Sequence, residues 1–166
     1  MDSYLSLVSR YNRGANAKMV EILDRLSAED LDRERGSYYG SLHGLFNHVV
    51  GGELFSLKAL KAALPAHPAL AIPEIDVEMK PGAPPFPDYT AAKRVLAAFD
   101  AAFVALCADP APAVLSAETQ LRGTTRTVGF LAASAMSHVA HHRGQVSQIL
   151  DEMKVENDFY TAFREA

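Results

Sequence analysis

Four stretches of the chain repeat apolar residues every three or four positions, which is the spacing of one face of an α-helix. Polar or proline-rich segments separate these stretches, and a Ser, Asp or Thr stands before three of them in the place of a helix cap. The pattern therefore predicts four long helices. Their predicted bounds are 3–26, 41–64, 89–107 and 128–153.

The segments between these helices differ in character. Most of the chain's prolines lie in segment 65–88, where they exclude an α-helix because proline lacks an N–H donor and collides with the preceding turn. A loop of this length usually marks a functional segment or a long crossover. Segment 110–127 predicts an irregular hairpin around Gly123, a single extra helical turn is expected after Ser27, and a short tail helix is expected near Asp158.

Four helices without a confident strand predict an all-α protein, a four-helix bundle. The long Pro-rich crossover lets helices two and three run parallel, which gives up-down-down-up topology. The chain has 166 residues, of which 49% are hydrophobic. This length fits a single domain over residues 1–166 with a buried core.

Charge and cysteine content exclude several classes of protein. A net charge of −4 without a basic run argues against nucleic acid as the main partner. A single cysteine excludes an internal disulfide framework and a cysteine-based zinc module. No apolar stretch reaches about 18 residues, and the N-terminus lacks the features of a signal peptide. We therefore expect a cytoplasmic protein with no membrane partner.

The fourth predicted helix carries the sequence HVAHHRGQ, which contains three histidines. His138 and His142 lie one helical turn apart, His142 within the apolar stripe and His138 at its edge, whereas His141 lies on the other flank. Two imidazoles in this relation can chelate one metal ion. They can equally be hydrogen-bonded core residues that line a polar pocket. The spacing alone does not decide between a metal site and core histidines.

A third ligand has to come from another helix. His43 and His48 lie on different faces of the second predicted helix, and three glycines lie near His48. Because glycine within a helix costs about 1 kcal/mol relative to alanine, these positions indicate either space for a ligand or close helix packing. Three imidazoles with one open position are typical of catalytic metal sites. The glycines are Gly44, Gly51 and Gly52.

Two charged residues are weaker candidates for catalysis. Glu53 follows His48 by five residues and could support an imidazole N–H or act as a general base, although a solvated or ion-paired carboxylate is the simpler expectation. Arg143 could contact an anion, but an exposed arginine that pairs with Asp151 or Glu152 is the simpler expectation. His67, which lies among prolines, is expected at the surface.

Three motifs together resemble the DinB/YfiT-like family of metalloenzymes over nearly the whole chain. They are YNRGAN at 11–16, LHGLFNHVV at 42–50 and HVAHHRGQ at 138–145, and the last is the most specific. The resemblance implies a four-helix bundle with up-down-down-up order. It also implies that His48, His138 and His142 form a divalent metal site. One departure is Gly14, where family members often carry Trp, and it affects the pocket near the first helix.

Family members with a known activity are thiol-dependent transferases or isomerases that use bacillithiol, mycothiol or glutathione. Some members are linked to stress responses, and the family often dimerises. By resemblance we expect a homodimeric, metal-dependent S-transferase that binds zinc or nickel, a low-molecular-weight thiol and a small-molecule electrophile. The alternatives are a metal- or small-molecule-binding stress-response protein without turnover, a metal-dependent hydrolase, and a structural bundle with neutral buried histidines.

Overall fold

The computed structural model describes residues 3–164 and residue 166, and it is mostly helical with one small two-stranded sheet. Two short helices and three 3-10 turns accompany the four long helices. The helices are α1 (Tyr4–Leu23), α2 (Ala28–Asp32), α3 (Leu42–Ala63), α4 (Tyr89–Cys107), α5 (Pro112–Ser116) and α6 (Val128–Glu152). The strands are β1 (Glu118–Leu121) and β2 (Thr124–Thr127), and the 3-10 turns are Pro68–Leu70, Pro73–Asp76 and Tyr160–Arg164. Among these helices, none is long and apolar enough to cross a membrane.

Each long helix begins at a side chain that caps it. The cap oxygen accepts a hydrogen bond from the backbone N–H three residues further on, which satisfies a donor that the helix itself cannot use. These caps explain why the predicted starts are confirmed to within one residue. The cap residues are Ser3, Ser41, Asp88 and Thr127.

The first helix ends three residues before the predicted bound at Leu26. The backbone N–H groups of Arg25 and Leu26 bond to the carbonyls of Ile22 and Leu23, both at 3.1 Å. These are bonds to the third residue back, so the last turn is tightened beyond α-helical geometry. The apolar periodicity continues through such a turn, which is why the sequence pattern overestimates the length of the helix.

The core lies between the long helices. α3 packs against α6 and α4, and α1 packs against α4 and α6. Large apolar side chains from all of these helices are buried at the centre. Examples are Met19, Leu23, Phe46, Leu57, Phe99 and Val146.

The Pro-rich segment 65–88 contains no α-helix, as expected, but two 3-10 turns form within it. Leu70 and Ile75 are each 1% exposed and anchor these turns in the core. His67, expected at the surface, is half-buried. Its Nδ1 accepts a hydrogen bond from the N–H of Ala69 at 3.3 Å. The segment is thus held against the helices.

The predicted hairpin around Gly123 is confirmed as strands β1 and β2, preceded by the short helix α5. Leu121 pairs with Thr124, and the two turn residues Arg122 and Gly123 have φ of 50° and 75°. Positive φ at both positions is typical of a type I′ turn, which matches the twist of antiparallel strands. The hairpin packs against α3 and α6 and so covers one end of the groove between them.

Candidate metal centre

Three imidazoles meet between α3 and α6. His48 comes from α3, and His138 and His142 lie one turn apart on α6, as their spacing predicts. The Nε2 atom of His48 lies 3.1 Å from that of His138 and 3.0 Å from that of His142. The Nε2 atoms of His138 and His142 are 3.1 Å apart. The structure therefore brings together the three residues named by the sequence as metal ligands.

Hydrogen bonding alone cannot account for this triangle of nitrogens. Each Nε2 carries either one proton or one in-plane lone pair, so two of the three must have the same role and at least one contact lacks a donor or an acceptor. Two nitrogens that bind the same zinc ion at about 2.0–2.1 Å lie roughly 2.9–3.4 Å apart for angles between octahedral and tetrahedral values. The observed spacing fits this range, and the cluster could hold a metal ion.

The other two histidines of these motifs lie outside the cluster. His43 contacts the Oδ1 of Asp32 through its Nδ1 at 2.8 Å. His141 is exposed, and its ring centroid lies 4.9 Å from that of His142. The structure thus places His142 inside the cluster and His141 outside it, on the sides that the helical facing predicts.

Two further side chains orient the imidazoles. The Nδ1–H of His142 donates to the Oε1 of Gln145 at 2.7 Å, which leaves the lone pair on Nε2. The Tyr39 hydroxyl lies 2.9 Å from the Nε2 of His48, and the two rings stack with centroids 4.1 Å apart. Sequence reasoning missed both residues. For Gln145 a signal existed, because it lies three residues after His142 on the same helix.

The electrostatics of the cluster favour neutral imidazoles. Burial, together with the neighbouring histidines, lowers the pKa of His138 to about 4. Burial also lowers the pKa of His48 and of His142, although the Gln145 hydrogen bond opposes part of the shift at His142. At neutral pH all three lone pairs are therefore available to a metal without displacing a proton.

Metal affinity is expected to change little as the pH falls from 8 to about 6.5, and to drop steeply at lower pH. The reason is that protons compete with the metal only below the pKa of each ligand, and all three pKa values are lowered. The measurement is the dissociation constant of zinc by competition with a chromogenic chelator at several pH values. A fall in affinity that is already well under way between pH 8 and 7 would contradict the lowered pKa values.

Two glycines of α3 make room for the site. A Cβ atom at Gly52 would lie 2.8 Å from the Nδ1 of His138 and would collide with its ring. A Cβ atom at Gly44 would collide with the carbonyl oxygen of Tyr39, so glycine lets the preceding chain approach α3 and place Tyr39 over His48. Gly51 differs, because its added Cβ would meet only Pro85, at an ordinary 3.6 Å.

Gly52→Ala is expected to weaken metal binding by roughly 10-fold or more, an effect comparable to loss of a ligand-orienting contact. The added methyl group displaces the His138 ring from the triangle. Gly51→Ala is the matched control: it makes the same change one residue away, should keep the metal, and should gain up to about 1 kcal/mol of helix stability. Metal content after dialysis, with circular dichroism for folding, measures both. Equal metal content in the two variants would show that the His138 position is not critical.

The imidazoles line one end of an open cavity of about 1120 Å³. Most of the wall is apolar and comes from α3, α6, the Pro-rich segment and the hairpin. Prominent wall residues are Phe55, Met79, Pro84, Pro85, Leu121 and Phe130. A small organic molecule could therefore reach the histidines.

The exposed position expected for Arg143 was wrong, and Glu53, for which a solvated or ion-paired carboxylate was expected, is buried as well. Each is 2% exposed. Arg143 does not pair with Asp151 or Glu152 but donates to the Oδ1 of Asn16 at 2.7 Å. The physical reason is that α6 packs against α1 as well as α3, so its buried arc includes both His142 and Arg143.

Arg143 belongs to a buried polar network in the centre of the molecule. It also donates to the Oδ1 of Asn12 at 2.5 Å, and the Nδ2 of Asn16 donates to the Oδ1 of Asp100 at 2.9 Å. Burial raises the pKa of Asp100 to about 7 and raises the pKa of Glu53 well above its usual range. Neither Glu53 nor Arg143 is among the residues that line the cavity.

Comparison with known proteins identifies the family of the chain. The profile of the DinB family matches residues 1–163, a range that includes all three histidines. Comparisons with curated proteins and with solved structures gave no match. Because the match spans nearly the whole sequence, the chain belongs to the DinB family.

Proposed function

We propose that this protein is a metal-dependent S-transferase, which joins a low-molecular-weight thiol to a small organic electrophile. The observation that carries the proposal is the triangle of Nε2 atoms from His48, His138 and His142 at the end of an open, mainly apolar cavity. Zinc or nickel is the proposed ion, since imidazole nitrogens suit both. When bound there, a divalent ion would lower the pKa of a thiol or of water and so supply a nucleophile at neutral pH.

The thiol has to come from outside the protein. Cys107 is the chain's single cysteine, and it is 1% exposed and packs with Ala132 and Met136 away from the cavity. Burial raises the pKa of its thiol to about 11, so it is not a nucleophile at neutral pH. A transferase that uses this site therefore requires a separate thiol substrate.

Cavity residues beside the imidazoles are suited to hold and orient that substrate. The Tyr39 hydroxyl lies next to the nitrogens, and burial, together with neighbouring Tyr38, raises its pKa, so it remains a hydrogen-bond donor. The Oδ1 of Asn47 is buried without a hydrogen-bond partner in the described part of the chain, and Asn47 lines the cavity. Tyr39 thus places one hydrogen-bond donor beside the cluster, and Asn47 adds a polar residue to the cavity wall.

The same ligand set could serve a hydrolase, but the cavity disfavours it. Among the described residues, no Asp or Glu lines the cavity, and Glu53 lies outside it. A hydrolase would lack the carboxylate base that commonly assists a metal-activated water. Thiol transfer needs no such base once the thiol is ionised.

The test is an activity assay on tag-free, zinc- or nickel-loaded protein. Glutathione or bacillithiol is combined with 1-chloro-2,4-dinitrobenzene, and a parallel assay measures hydrolysis of p-nitrophenyl acetate without thiol. We expect thiol-dependent turnover that is lost in His142→Ala and kept in His141→Ala. Ester hydrolysis without thiol transfer would overturn the proposal in favour of a hydrolase. Metal binding without either activity would favour a stress-response binding protein.

We also infer that the four long helices form a bundle with up-down-down-up order. Side-chain contacts between pairs of helices support this order, because they show whether the two helices of each pair run parallel or antiparallel. Asn12 and Asn16 of α1 contact Met136 and Arg143 of α6 in ascending order, as parallel helices do. α1 and α4 are antiparallel by the pairs Asn16–Asp100 and Asp24–Lys93. α3 and α6 are antiparallel by the contacts His48–His142 and Gly52–His138.

A further inference from the structure

Among the described residues, those that line the cavity in front of the histidines include a positive charge but no negative one. Arg122 is the one lining residue with a full charge at neutral pH among those the structure describes, and no carboxylate faces it. In this part of the chain, no Asp or Glu forms an ion pair with Arg122 either. An organic anion would therefore find an attractive charge in the cavity, whereas an organic cation would find no carboxylate there to pair with.

The fold holds Arg122 in a defined place. It is the first turn residue of the hairpin, with φ of 50°, and its neighbour Leu121 also lines the cavity. Its guanidinium lies over the ring of Phe55, 4.9 Å from the centroid. Stacking covers the flat face of a guanidinium and leaves its N–H edge free, which is the edge that binds a carboxylate through two hydrogen bonds.

The three histidines and Arg122 line the same cavity. Phe55 follows His48 by seven residues on α3, so the two side chains lie on the same face two turns apart, about 10 Å along the axis. Gly51 and Gly52 lie between them and also line the cavity, with Pro85 beside Gly51 and the His138 ring packed against Gly52. A ligand of roughly this length could touch the imidazoles with one end and Arg122 with the other.

We propose that Arg122 binds a carboxylate at the far end of the cavity, so that the substrate is an organic anion with an apolar body. The apolar walls contact the body, and the guanidinium fixes its orientation relative to the histidines. This inference rests on the proposed function for the role of the site, but the binding that it describes does not require turnover. The carboxylate belongs either to the electrophile or to the thiol, and the test separates these sources.

The experiment is isothermal titration calorimetry on zinc-loaded protein with three probes: 6-phenylhexanoate, its primary amide and glutathione. Arg122→Gln removes the charge, and Arg126→Gln is the matched control. Arg126 lies in the same hairpin and stacks on Phe130 at 4.9 Å, but it does not line the cavity. Metal content is measured for each variant to show that the histidine cluster is intact.

We expect Arg122→Gln to weaken binding of a carboxylate probe by about 10-fold or more, with the amide unaffected and Arg126→Gln close to wild type. A loss confined to 6-phenylhexanoate assigns the carboxylate to the electrophile, and a loss confined to glutathione assigns it to the thiol. Carboxylate binding that Arg122→Gln leaves unchanged would overturn the inference. Because the readout is binding, a protein without transferase activity would still give a clear result.

Discussion

His142→Ala is expected to abolish stoichiometric metal binding. Wild-type protein should hold about one divalent ion per chain, and removal of one of three ligands should weaken binding by more than the roughly 10- to 100-fold that loss of a ligand-orienting residue costs. The reason is that only two donor nitrogens, those of His48 and His138, remain in the variant, and two imidazoles hold an ion less tightly than three. The measurement is elemental analysis of tag-free protein, together with a zinc dissociation constant.

The matched control is His141→Ala. His141 is the adjacent residue, it is exposed, and its ring touches that of His142 without reaching the triangle. Both His141→Ala and His142→Ala remove one imidazole from α6, so any general effect of that loss appears in both variants. A metal content reduced equally in both would contradict the assignment of the ligands.

Arg143→Met is expected to lower the free energy of unfolding by about 3–5 kcal/mol at pH 8. Methionine fills similar space but removes one of the two cations, Arg143 and Arg13, that act on Asp100. It also leaves the amide oxygens of Asn12 and Asn16 without their donor. Urea denaturation at pH 8 measures the loss. An exposed arginine of α4, Arg94, supplies a control in Arg94→Met, which should change stability little.

The pH dependence of the stability of the Arg143→Met variant shows whether lost charge or lost packing causes the destabilisation. Burial raises the pKa of Asp100 to about 7, above its unfolded value of about 3.9, so the folded state binds more protons between these values. Stability from this group therefore falls as the pH rises, and loss of the cation raises the folded pKa further. The variant should be less impaired at pH 5.5 than at pH 8. An equal loss at both values would point to packing instead of charge.

Glu53→Gln, in contrast, is expected to change stability little. Burial, with Asp100 nearby, keeps the pKa of Glu53 high, and glutamine resembles the protonated acid in size and polarity. We expect a change in the free energy of unfolding within about 1 kcal/mol.

Local rules predicted the helices well because the helix ends are set by single residues. Ser41, Asp88 and Thr127 are caps whose side chains accept the hydrogen bonds that the sequence suggests. The end of α1 was less predictable, since apolar periodicity does not distinguish an α-helical turn from a tightened one. The hairpin was predictable because Gly123 favours the positive φ that its turn needs.

The site was predictable in part. The four-residue spacing of His138 and His142 indicates a chelating pair. A histidine on another helix is brought near by packing, so the glycines beside His48 left its role open, and the resemblance named it as a ligand. The exposure of Arg143 was predicted wrongly because the apolar stripe of α6 indicates one buried face. The stripe does not reveal that α6 contacts two neighbouring helices, α1 and α3. Tyr39 lies in a turn before α3, where no periodicity indicates a direction.

The three histidines come from long helices, whereas part of the cavity wall comes from loop and hairpin segments. All three imidazoles project from the long helices α3 and α6, whereas Met79, Pro84 and Pro85 come from the Pro-rich segment and Arg122 from a hairpin tip. Residues of the Pro-rich segment and of the hairpin tip can therefore be varied without changing the three histidines. A library that varies residues 79–85 and the hairpin tip would change which molecules the cavity admits and leave the histidine cluster in place.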